Sequence, residues 1–164
     1  MNYLLPLIAV ILGYILALVI QPKKKSNLKL LLAFSGSFLL SVTVISLLPE
    51  VYETKNTTIG LYIMLGILFQ IILEFFSKGA EHGHVHGHQT ITHIPWLLFI
   101  SLCIHALLEG FPVGHHHDLA IGIAIHHLPI AIILTTFFVQ AQLNKKAIFA
   151  FMITFAMMTP LGTL

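Results

Sequence analysis

The stretch that decides the fold runs from Leu119 to Val139, LAIGIAIHHLPIAIILTTFFV. It holds no Asp, Glu, Lys or Arg and matches in length one helical crossing of a bilayer core about 30 Å thick, which takes roughly 20 residues. Its apolar residues do not alternate with polar ones, as a transmembrane strand of roughly ten residues requires. Five further stretches of this kind recur outward from it, at 4–20, 30–48, 59–76, 95–113 and 147–164. The whole chain agrees: its 164 residues are 57% hydrophobic and only 9% charged, with a mean hydropathy of +0.95. Six crossings consume about 120 residues and leave about 44 for all connections. The expectation is therefore a single all-α domain, a polytopic transmembrane bundle of six helices. A sizeable soluble head, a nucleotide-binding domain and an extramembrane enzyme module are excluded by the same arithmetic.

Charge sets the orientation. The formal net charge of +2 comes from eight lysines and no arginine against six acids, which gives no footprint for a nucleic-acid partner. Met1–Tyr3 is uncharged and Lys23, Lys24 and Lys25 follow the first apolar run, the reverse of a cleaved signal peptide. The first segment reads as a retained anchor with its N-terminus outside. Putting Lys23–Lys25 in the cytoplasm puts Lys29, Lys78, Lys145 and Lys146 there too and leaves Lys55 outside, in accord with the positive-inside rule. The integral protein is accordingly placed in a plasma membrane of bacterial type; the Asn56-Thr57-Thr58 sequon matters only in a eukaryotic secretory pathway. Cys103 is the sole cysteine and forms no intrachain disulfide.

Ionisable side chains inside crossings cost on the order of 3 kcal/mol on insertion scales, so each needs a reason. His105 and Glu109 lie one turn apart on the fourth segment, about 40° apart around the helix, and can reach one point. An imidazole nitrogen and a carboxylate suit zinc, iron(II), manganese and other divalent ions. Gly110 beside them lets a neighbouring backbone come close. The fifth segment brings His126 and His127 just ahead of Pro129, which deprives the Ile125 carbonyl of its helical donor and should bend the helix there. Those two histidines are about 100° apart, so only one is expected to meet His105 and Glu109 directly. Ser46, with Thr43 and Glu50 on one face of the second segment, is a weak hydroxyl ligand or a water holder. A structural ion pair and interhelical hydrogen bonds are the plainer alternative. Two helices each carrying ligand-type residues beside a glycine or proline favour the metal.

Other polar groups point less sharply. Gln70, Glu74 and Lys78 lie at i, i+4 and i+8 on the third segment, the last two as a helix-end ion pair. The inner connection 81–93 carries His82, His84, His86, His88 and His93 among glycines, a composition that captures metal weakly. His115, His116 and His117 form a similar outer cluster followed by Asp118.

These motifs resemble the ZIP family of divalent-metal transporters. The resemblance rests on Ala33–Leu40 and Leu47–Glu50 in the second helix and on His105-Ala106-Leu107-Leu108-Glu109-Gly110 as an HxxxEG motif. It continues with His126-His127-Leu128-Pro129 as an HxxP motif and with the histidine-rich connection before the fourth helix. It implies a fold of eight transmembrane helices with both ends outside, often dimeric, whose fourth and fifth helices are broken by proline and line a metal path. On that pattern His105, Glu109 and His126 match primary ligands, His127 a neighbouring ligand, and Ser46 a position where many members have histidine. Three departures follow. Ile130 replaces a common second glutamate, Ala106 replaces a second-site polar ligand, and the chain ends within the sixth helix, as a fragment or as a shortened member would. The first two argue for one metal where others hold two. The resemblance implies a divalent cation, zinc foremost with iron, manganese or cadmium as alternatives, as substrate moved toward the cytoplasm, with the lipid bilayer and a second copy of the chain as partners and no catalytic cofactor. The same residues also admit an intramembrane zinc hydrolase holding a metal-bound water, although no His-Glu-x-x-His motif is present. A metal-sensing membrane protein is the third reading.

Overall fold

A computed structural model describes residues 4–20, 25–77, 94–114 and 116–164. Lys23, Lys24, Lys78, the histidines of 81–93 and His115 lie outside them. Among the described residues there are six helices: α1 (Leu4–Ile20), α2 (Lys25–Val42, continued through Thr43–Leu47 and Leu48–Glu53), α3 (Ile59–Ser77), α4 (Trp96–Gly110), α5 (His117–Gln140) and α6 (Lys145–Thr163). The protein is thus an all-helical, polytopic bundle. Four helices are long and apolar enough to cross a membrane, while α1 and α4 are shorter apolar helices.

Local chemistry explains the boundaries. In α2 the Leu48 N–H reaches back five residues to the Thr43 carbonyl, a π-turn over Thr43–Leu47. Pro49 follows at once; its ring has no N–H and would clash with a carbonyl four residues back, and the wider turn lets the helix run on to Glu53. The Asn56 side chain accepts from the Thr58 N–H at 3.0 Å and from the Thr58 hydroxyl at 2.8 Å, closing the α2–α3 turn. The α5–α6 connection bends at Gln142, whose φ is 57°, and Asn144 caps α6 by accepting from the Lys146 N–H at 2.9 Å. Helix α4 stops at Gly110, three residues short of the expected 95–113, because Pro112 cannot supply the next helical donor.

One sequence expectation is corrected here. The resemblance implied a fifth helix broken by proline, whereas α5 runs as one helix from His117 to Gln140 with Pro129 inside it. This helix is the centre of the molecule, packed on α1 and α2, while α4 leans on α6 and α3. The α1–α5 contact depends on Gly13: a Cβ there would stand 2.7 Å from both the Leu128 carbonyl and the Ala131 side chain. Between α4 and α6 the same role falls to Gly110 and Gly162, where added Cβ atoms would overlap the Thr159 and Leu107 carbonyl oxygens. Such small-residue contacts are what joins helices where no hydrophobic force does. Phe138, Phe151, Phe155, Leu102 and Leu134 fill the core between them. The faces of α2 and α3 bearing Phe34, Leu40, Ile45, Leu65, Ile72 and Phe75 are exposed in the isolated chain, the arrangement expected of lipid-facing surface.

Candidate metal site

The site forms where α4 and α5 face each other, and its parts follow from helical spacing. On α4 the i, i+4 pair points His105 Nε2 at Glu109 Oε1, 3.2 Å away. On α5 His126 presents a ring nitrogen to the same point, so that one donor atom each from His105, Glu109 and His126 lies within 4.8 Å of the others. All three residues are half-buried. Two imidazoles and a carboxylate converging from two helices make a donor set of the kind that zinc and neighbouring divalent ions take.

Only one of the two α5 histidines was expected to meet His105 and Glu109 directly, with His127 implied as a neighbouring ligand, and the structure brings His127 to Glu109 as well. Its Nε2 lies 2.9 Å from the other Glu109 oxygen, Oε2, and its ring packs against Phe155 of α6 with centroids 5.4 Å apart. Both α5 histidines therefore come to the site: His127 meets Glu109 Oε2, and a ring nitrogen of His126 lies within 4.8 Å of a Glu109 carboxylate oxygen. With 1% exposure, His127 is the most deeply enclosed of the set, and its Nδ1 has no hydrogen-bond partner among the described residues.

Gln70, read from sequence only as one of a polar row, comes from α3 to the back of the site. Its Oε1 lies 2.9 Å from His105 Nδ1. The available signal was a polar amide in the middle of an otherwise apolar crossing, which needs a partner from a neighbouring helix.

Ser46 is exposed on α2 and lines a cavity of 240 Å³ with Val42, Leu47, His116, His117, Asp118 and Leu119. His116 Nδ1 lies 3.6 Å from Glu50 Oε2 at this end of the bundle. The positions that depart from the ZIP pattern, Ala106 and Ile130, are both buried in the main apolar core. His82, His84, His86 and His88 lie outside the described residues.

Comparison with known proteins adds one finding. A zinc transporter, ZIP1 of Danio rerio, is 25% identical over 110 residues, covering 52% of this chain and 36% of that protein. The matched part thus spans about a third of the relative's length. No protein-family model and no solved structure matches the chain.

Proposed function

We propose that this chain is a metal-ion transporter of the ZIP type, with zinc as the divalent cation it moves toward the cytoplasm. The observation that carries the reading is the convergence of His105, Glu109 and His126 on one point inside a bundle of apolar helices. The partial likeness to a zinc transporter supports it. A transport site needs ligands that hold a cation long enough to strip its water and release it again, and a small set of imidazole and carboxylate donors does this by stepwise exchange. His105, Glu109 and His126 are its ligands. His127 shares Glu109 with the metal and takes the carboxylate's second oxygen when the first is free to bind. Ser46 contributes a hydroxyl on the outer approach, and His82, His84, His86 and His88 gather metal on the inner side. Transport fits better than hydrolysis, because both Glu109 oxygens face imidazoles and neither is set aside as a base for a bound water. The lysines give the orientation, with the N-terminus outside in a plasma membrane of bacterial type, and a homodimer is the assembly that the resemblance implies.

Uptake of zinc by cells producing the protein, with alanine in turn at His105, Glu109 and His126, tests the proposal. Each variant, compared at equal membrane levels, should lose uptake. Undiminished uptake in both His105→Ala and Glu109→Ala overturns it.

A further inference from the structure

A neutral imidazole carries one proton on two nitrogens, and it binds metal through the nitrogen that lacks the proton. For His105 the choice decides whether it can serve as a ligand, since it is Nε2 that faces Glu109. A carbonyl oxygen only accepts hydrogen bonds, and the atom 2.9 Å from His105 Nδ1 is the amide oxygen of Gln70. The proton in that contact therefore sits on Nδ1. Nε2 is left with its lone pair toward the Glu109 carboxylate at 3.2 Å, two electron-rich atoms side by side in the arrangement that a bound cation stabilises.

From this we infer that Gln70 is a positioning residue: from α3 it fixes the ring orientation and tautomer of His105 so that Nε2 is presented to a divalent cation. The inference rests on the metal-site reading above and deepens it. Partners of this kind behind ligating histidines typically set metal affinity by about 10- to 100-fold. The placement fits such a role better than one of helix adhesion alone. Gln70 lies on a helix that packs on α4 and whose neighbouring side chains Phe69 and Ile71 are exposed and apolar. Of the two nitrogens on His105 it meets Nδ1, not the Nε2 that faces Glu109. A purely adhesive amide would serve equally well against any backbone carbonyl of α4.

The test uses the full-length purified protein in two arms. In the first, ring-nitrogen NMR of the metal-free protein, with the His105 signal assigned by its loss in His105→Ala, reads which nitrogen holds the proton. Nδ1 is expected in the wild type and Nε2 in Gln70→Leu. In the second, zinc titration should show binding about 10- to 100-fold weaker in Gln70→Leu and wild-type affinity in Gln70→Glu, whose carboxylate accepts from Nδ1 as the amide does. The effect of Gln70→Leu should vanish in a His105→Ala background. A wild-type His105 protonated on Nε2, unchanged zinc affinity in Gln70→Leu, or an equal loss in both backgrounds overturns the inference. Equal zinc binding by wild type and His105→Ala would instead overturn the metal-site reading, and the first arm, which needs no metal, still decides the role of Gln70.

Discussion

Replacing Glu109 with alanine should destabilise the folded protein as well as silence it, and the size of the effect follows from the position of His127. That imidazole is 1% exposed, holds Glu109 Oε2 at 2.9 Å through Nε2, and has no hydrogen-bond partner for Nδ1 among the described residues. Without the carboxylate its ring keeps Phe155 as a neighbour but loses this polar contact. A buried polar group left unsatisfied costs about 1–3 kcal/mol. Interhelical hydrogen bonds measured in membranes average about 0.6 and reach about 1.7 kcal/mol, so a contact this enclosed should be worth about 1–2 kcal/mol. That corresponds to a roughly 5- to 30-fold fall in the folded-to-unfolded ratio. The discriminating variant is Glu109→Ala combined with His127→Phe. An apolar ring in place of the imidazole removes the stranded group, and replacing both partners is close to neutral. Reversible unfolding in mixed micelles should show Glu109→Ala destabilised and the double variant restored most of the way, with zinc transport absent from both. If Glu109→Ala costs nothing, or if His127→Phe adds a second penalty to it, the Glu109–His127 contact does not hold the helices as described.

Further outcomes follow from the same geometry. Protein with His82, His84, His86 and His88 changed to Ser should bind about one tight zinc per chain. Two cations beside the single carboxylate of Glu109 would leave about +3 in a low-dielectric site, and the buried Ala106 and Ile130 offer no second acid. Two tight zincs, both lost in Glu109→Ala, would reveal an acid not counted in this site. The same four Ser substitutions should shift the concentration dependence of uptake without stopping it, and complete loss at saturating zinc would put the histidine-rich connection in the pathway. Gly162→Val should separate α4 from α6, since even a Cβ there overlaps the Leu107 carbonyl. It should lower thermal stability in detergent by several degrees, about 1–3 kcal/mol of overpacking, whereas Gly66→Val, with nothing within 4 Å of an added Cβ, should not.

The bundle was legible in sequence because each crossing is a long apolar run without polar alternation, and in lipid, where no water satisfies the backbone, such a run has one economical solution, the helix. The pair His105 and Glu109 was legible because i, i+4 spacing alone brings them together. Longer-range choices were not. The angle of about 100° between His126 and His127 argued that only one would meet His105 and Glu109 directly, yet His127 holds Glu109 Oε2 while His126 joins the His105–Glu109 cluster, and that depends on how α4 stands against α5. Gln70 could be seen as needing a partner, but its pairing with His105 depends on α3 lying against α4, a packing choice that apolar periodicity does not encode. The resemblance implied a fifth helix broken by proline. The surrounding contacts of α5 with α1 and α2, with Gly13 fitted against the Leu128 carbonyl and Ala131, hold the helix continuous past the missing donor.

Zinc flux into sealed vesicles bears on the central claim most directly. Purified protein reconstituted into liposomes that hold a zinc-sensitive dye should admit zinc when the ion is added outside, and Glu109→Ala protein, reconstituted to the same density and orientation, should admit no more than empty liposomes. Equal flux through wild-type and Glu109→Ala protein would contradict the account, and so would zinc binding by the wild type with no flux at all.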